Sequence, residues 1–259
     1  MEREISKQAL FPFLIFNQPF VYSRSITLYP LKMKDIVPFQ QYQEALTLRK
    51  DAVFQEKEII KMSYLDFIRY ACRNEELARA YQMPMLPFYF DFIAALLQLA
   101  CGENTPIRCE PSSLALFAGE QEITPPIFDD LRKILIIQND IDFDAGTFMN
   151  RDTENALKKA REFEAKKNRE KSDLEDYIDS LIISMKLTEE EVSHLTIRKF
   201  WRYIKRISKQ EEYLACRTGQ MSGMVTLKEP LSYWMTSIDI ADPYAHLKTD
   251  EAELRSKIL

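Results

Sequence analysis

Apolar positions in this chain recur mostly three or four residues apart, the spacing of one helix face, with two short stretches where they alternate instead. Ile36, Phe39, Tyr42 and Leu46 fall about a turn apart within 35–48. Ser63 can cap a helix whose apolar face holds Leu65, Phe67, Ile68, Ala71 and Cys72. Pro84 and Pro87 then break the chain. The following run, Phe88 to Ala100, is apolar on nearly every side and predicts a helix buried inside a bundle. Thr124-Pro125-Pro126 marks another helix start, with Phe128, Leu131, Ile134, Leu135 and Ile137 as its buried stripe.

The two interruptions read as β-structure. Among the first thirty residues, Ser25 to Pro30 reads as a short strand that Pro30 stops. From Pro106 to Thr124, the segments beginning at Ile107, Leu114 and Gln121, with Ala118-Gly119-Glu120 between the last two, predict a small hairpin module. The final third is helical again. Asp173 to Lys186 carries Leu174, Tyr177, Ile178, Leu181 and Ile182, and Thr188 to Glu191 forms a capping box. A long helix is predicted from Thr196 to about Thr218, with Gly219 and Gly223 as stop signals. The fold class that follows is mainly α, a helical bundle with a small β-hairpin module in the N-terminal half.

Arg151 to Lys171 differs from its surroundings, with eight basic and five acidic residues and a thin stripe of Leu157, Ala160 and Phe163. Pairs such as Glu154–Lys158 and Glu162–Lys166 have i,i+4 spacing and predict an exposed helix. The expected organisation is an α-rich N-terminal domain over 1–145, a charged connecting helix over 146–172 and a helical C-terminal domain over 173–259.

Composition narrows the chemistry. A net charge of −5 on 259 residues offers no global basic field for DNA or anionic lipid. The five glycines, at 102, 119, 146, 219 and 223, include no Gly-x-Gly pair, so no phosphate-cradling loop is present. The two histidines, His194 and His246, lack zinc-site spacing, and the four cysteines include no Cys-x-x-Cys pair. The scattered cysteines suit small buried apolar side chains in a reducing compartment. No signal-peptide pattern opens the sequence, and the strongest apolar run, 88–101, carries Asp91 and Gln98 and falls short of the roughly 20 residues of a bilayer span. A cytoplasmic protein with no membrane segment and no cofactor is expected.

Candidate catalytic groupings do not fill out. Asp140, Asp142 and Asp144 alternate like the start of a calcium loop, but Ala145 stands where the glycine belongs and Arg151 where the bidentate glutamate belongs. A nuclease-like Asp142 or Asp144 with Glu164 and Lys166 needs a strand to place the last two on one face, whereas that stretch reads as helix. Neither histidine sits beside a nucleophile elbow. The expectation is a non-enzyme. More promising is the run Arg198, Lys199, Arg202, Lys205, Arg206 and Lys209, interleaved with Phe200, Trp201 and Tyr203. On a helix, Arg198, Arg202, Lys205 and Lys209 share one cationic face, able to contact phosphates or a protein partner.

Several strings together carry a resemblance. Leu195-Thr-Ile-Arg-Lys-Phe200, Ser222-Gly-Met-Val225 with Lys228 after it, and Tyr233-Trp-Met235 lie in the C-terminal third; 138–144 and 150–154 lie upstream. They resemble a family of tailed-phage proteins of Gram-positive hosts that are likened to tail assembly chaperones, over about 130–236 with a looser match at 20–39. A usual His-Trp dipeptide stands here as Tyr233-Trp234, which matters only if that histidine were functional. The resemblance implies a mostly helical protein in the host cytoplasm or the virion, with no cofactor or catalytic residue. Its implied partners are tail proteins such as the tape measure or tube protein, whose apolar seams it would cover with grooves and amphipathic helices. Met221, Met224 and Met235, with Trp234, would suit such an adaptable surface, although ordinary core packing explains methionine equally well. The alternative is a nucleic-acid-binding accessory protein using the basic helix 198–209.

Overall fold

The computed structural model describes residues 5–143, 147–148, 172–223, 230–238 and 249–250. The first helix, α1 (Lys7–Ile15), starts at Ser6, whose hydroxyl accepts the Ala9 amide at 3.2 Å. It buries Leu10 and Leu14 although Pro12 lies inside it. Strands β1 (Phe20–Val21) and β2 (Thr27–Leu28) form a short antiparallel hairpin. A 3-10 turn (Met33–Asp35) leads through α2 (Ile36–Tyr42), α3 (Glu44–Thr47), α4 (Lys50–Val53) and α5 (Lys57–Lys61). Next come α6 (Tyr64–Arg73), α7 (Glu75–Ala80), a 3-10 turn at Leu86–Phe88, and α8 (Tyr89–Cys101). Ser63 caps α6 as its sequence predicts, its hydroxyl accepting the Asp66 amide at 3.1 Å.

The predicted hairpin module is a three-stranded antiparallel sheet, β3 (Ile107–Glu110), β4 (Ala115–Ala118) and β5 (Gln121–Glu122), in the order β3-β4-β5. Gly119 turns β4 into β5 at φ +61°, a left-handed conformation that glycine adopts at no steric cost. Arg69 and Arg73 of α6 donate to the carbonyls of Leu114 and Ser112 at 2.9 and 2.8 Å, which ties the sheet to the bundle. Helix α9 (Pro125–Gln138) follows with Pro125 at its first position and buries Phe128, Leu131, Ile134 and Leu135. The mainly α fold class with a small β module in the N-terminal half is therefore what the chain adopts.

A buried cation sits where α9 meets α6. Arg132 donates to the Leu46 carbonyl at 2.6 Å and lies 3.6 Å over the Tyr64 ring, which itself stacks on Phe128. Tyr64 donates its hydroxyl proton to the Ala45 carbonyl at 2.9 Å. Burial lowers the Arg132 pKa against the opposing pull of Tyr64 and Asp129, so the guanidinium is held by π and carbonyl contacts as much as by charge.

The C-terminal part begins, as described, with α10 (Leu174–Met185), α11 (Glu189–His194) and α12 (Ile197–Met221). The predicted capping box of Thr188 with Glu191 is present, and a second, Asp173 with Asp176, starts α10. Leu181, Val192, Ile197 and Phe200 belong to the same apolar cluster as α6, α8 and α9. The connecting helix expected over 146–172 lies outside the described residues except at 147, 148 and 172. Thr147–Phe148 pairs antiparallel with Thr249–Asp250.

Residues 29–33 stitch these pieces together. The Tyr29 amide donates to the Ala100 carbonyl at 2.7 Å, Leu31 to the Asn139 side chain at 3.2 Å and Met33 to the Leu195 carbonyl at 2.8 Å. Ile197 returns a bond to the Leu31 carbonyl at 2.9 Å. Pro30 does end the hairpin pairing, but the chain stays extended beyond it and pairs elsewhere. Asn139 is 3% exposed and also donates to the Leu135 carbonyl at 2.9 Å. Replacing it, Asn139→Ala, leaves the Leu31 amide buried without its acceptor and should cost about 1–3 kcal/mol, read as a lower urea midpoint at unchanged helical content.

Candidate functional site

Apart from Met224, the site residues expected from the sequence lie on α12 and the 230–238 segment. Thr196 opens α12, its hydroxyl accepting the Lys199 amide at 3.3 Å. Gly219 lies within the helix; Gly223, at φ +74°, follows its end and is the true stop. At 1.5 Å per residue, 25 residues make a rod about 37 Å long. Its burial is graded along that length. Ile197 and Phe200 are fully buried, and Trp201 packs edge-on against Tyr177 and Phe200 at 5.3 and 5.1 Å. Ile204 and Ile207 are half-buried against the core, whereas Leu214 is 50% and Met221 81% exposed.

The cationic face is not a uniform outer surface. Arg198 is only 6% exposed and donates to the Leu14 carbonyl at 3.2 Å, so it turns inward to hold α1 against α12. Its place in the first turn, beside Ile197 and Phe200, puts it among core residues before the helix leaves the body. Arg202 is half-buried, and Lys205 is exposed and pairs with Asp140 at 3.7 Å. Lys209 donates to Thr236 Oγ1 at 2.8 Å and to the Ser237 carbonyl at 2.7 Å. Arg206 donates to the carbonyls of Trp234 and, at 2.9 Å, Thr236. The Lys199 pKa is lowered, first by burial and then by Arg198 and Arg202, which marks a local excess of positive charge.

Residues 230–238 therefore form a strap over the middle of α12. Tyr233 packs edge-on against Tyr213 at 5.5 Å, and the Thr236 amide closes a turn onto the Tyr233 carbonyl at 3.0 Å. Within the strap Ile238 is buried and Trp234 half-buried, while Met235 is 59% exposed. The structure thus brings Lys209, Trp234 and Met235 together and leaves Met221 at the far end of α12. Met224 lies outside the described residues. Sequence spacing does not single out Arg206, Tyr213 and Tyr233 as a unit, because the contacts that join them span twenty residues or more.

The remaining sequence candidates separate. Asp140 takes a left-handed backbone at φ +55° and faces Lys205, while Asp144, Glu164 and Lys166 lie outside the described residues. His194 is exposed with Nδ1 3.0 Å from the Ser193 hydroxyl, and His246 lies outside the described residues. Among the described residues no group of three metal-ligating side chains comes together, and no helix is long and apolar enough to cross a membrane. The opposing roles of Arg198 and Lys205 can be measured. Arg198→Ala should cost about 2–3 kcal/mol in urea unfolding, because a buried charge-assisted bond and its packing are lost, whereas Lys205→Ala should cost under about 1 kcal/mol.

Comparison with known proteins bears on this same region. Residues 165–239, less than a third of the chain, match the family described as the YomV second domain, and that stretch takes in α10, α11, α12 and the strap. The family is phage-derived, and the match fits a phage protein. No curated protein and no solved structure matches the chain.

Proposed function

We propose that this chain is a non-enzymatic phage tail morphogenesis protein, a tail assembly chaperone or a minor tail component, acting by protein–protein contact. The observation that carries the reading is the outer half of α12. Leu214 and Met221 continue the buried stripe but are 50% and 81% exposed, and an amphipathic helix face of this kind is a common way to engage a partner's apolar seam. The tape measure protein, long and prone to aggregate before the tube encloses it, is a partner that such a face would suit. The match to a phage-derived family over the same region supports the phage setting, in the host cytoplasm or on the virion.

The nucleic-acid reading draws less support from α12. Arg198 is buried, and Lys205 is paired with Asp140. Tagged full-length protein recovered from phage-producing cells at moderate salt should carry tape measure or tube protein. Leu214→Asp combined with Met221→Asp should abolish that recovery while changing the free energy of urea unfolding by no more than about 0.5 kcal/mol, as expected of exposed positions. Recovery of nucleic acid alone, or undiminished recovery of tail protein by the double variant, would overturn the reading.

A further inference from the structure

Arg206, Lys209 and Tyr213 follow one another at three- or four-residue intervals and line one side of α12, the side on which the strap lies. The donors there are charged, but the acceptors the strap presents to them are neutral: carbonyls of Trp234, Thr236 and Ser237 and one hydroxyl. Such bonds satisfy the hydrogens without neutralising the charge, and a carboxylate would make stronger ones. The strap also buries little of itself, since Tyr233 is 48% and Met235 59% exposed and Ile238 is its one buried apolar side chain. It is thus a weakly buried, uncharged occupant of a positively charged stripe.

We propose that this stripe is a docking site for an acidic peptide segment of a partner, and that residues 230–238 are its displaceable occupant within the chain. The class of ligand follows from what already fits. Arg206 and Lys209 are spaced to receive successive oxygens of an extended polypeptide, as the strap's own oxygens at 234, 236 and 237 show. A Glu- or Asp-rich segment keeps that backbone spacing and adds the missing negative charge. Duplex DNA, at about one charge per 1.7 Å, carries roughly twice the charge density of an extended Glu-rich segment, and its sugar-phosphate backbone does not reproduce the peptide spacing that the strap's oxygens already match. Because the strap and the ligand compete, loosening the strap must strengthen binding and removing the cations must weaken it. The proposal does not rest on the tail-assembly reading, which uses Leu214 and Met221.

The test uses the full chain and a short fluorescent poly-glutamate peptide, with poly-glutamine and duplex DNA as controls. Anisotropy should show peptide binding that weakens as salt rises. Arg206→Gln with Lys209→Gln should weaken it roughly tenfold, and Tyr233→Ala, which removes the contact with Tyr213, should strengthen it several-fold. In a Trp201→Phe background Trp234 is the only tryptophan, and its emission should move to the red as peptide displaces the strap. Absence of peptide binding, equal binding of poly-glutamine, or binding of DNA but not peptide would each overturn the proposal. So would peptide binding that leaves Trp234 and the Tyr233→Ala affinity unchanged. No tail partner takes part, so failure here is distinct from failure to recover a tail protein.

Discussion

Backbone amides at 29, 31 and 33 find no partner within their own hairpin, and each is satisfied by a different element: the end of α8, the end of α9, and the turn before α12. A buried amide left without an acceptor costs about as much as a lost hydrogen bond. The chain between β2 and α2 is therefore committed to one path, threaded through three element ends. Helix packing on either side is then constrained to leave those acceptors in place. Gln138 extends the same seam by donating to the Leu28 carbonyl at 3.3 Å, next to Asn139, so two consecutive side chains at the end of α9 serve the backbone of one extended segment.

That seam is also why α12 starts where it does. The antiparallel bridge between Lys32 and Thr196 holds the residue that caps α12, and Arg198 reaches from the first turn to the Leu14 carbonyl of α1. With its first turn held from two sides, the helix leaves the body in a fixed direction. Everything beyond Ile207 is carried on a lever whose base is buried. The strap and the exposed apolar residues on which the proposals rest sit on that lever and owe their placement to contacts made at its root.

Much of this was legible from spacing alone. Ser63, Asp173, Thr188 and Thr196 announce helix starts through local hydrogen bonds, and local signals survive folding because their partners lie three residues away. What spacing could not reveal is any arrangement that depends on distant chain. The α1 helix is hidden in the sequence because Pro12 and a nearly uniform apolar run obscure its periodicity; in the fold it lies against α9 with Leu10 and Leu14 buried. Arg198 shares a helical face with Arg202 and Lys205 by arithmetic, yet at the first turn that face meets α1 rather than water. A periodicity argument assigns residues to faces but does not say which face is covered at which height along the helix.

Height along the helix is what organises α12. Phe200, Ile207, Leu214 and Met221 recur every seven residues, and their exposure rises in that order from fully buried through half-buried to 50% and 81%. A seven-residue apolar recurrence keeps one seam of a helix against a neighbour, since 3.5 residues per turn is the repeat of packed helices rather than of free ones. The first two positions have that neighbour in the body of the chain. The last two continue the repeat past the point where the described body ends. Solvation alone offers no reason to keep Leu and Met in that register, because exposed helix positions away from special contacts tolerate polar residues at little cost. The pattern is explained if the seam is covered in use, which is the physical content of a function by protein–protein contact.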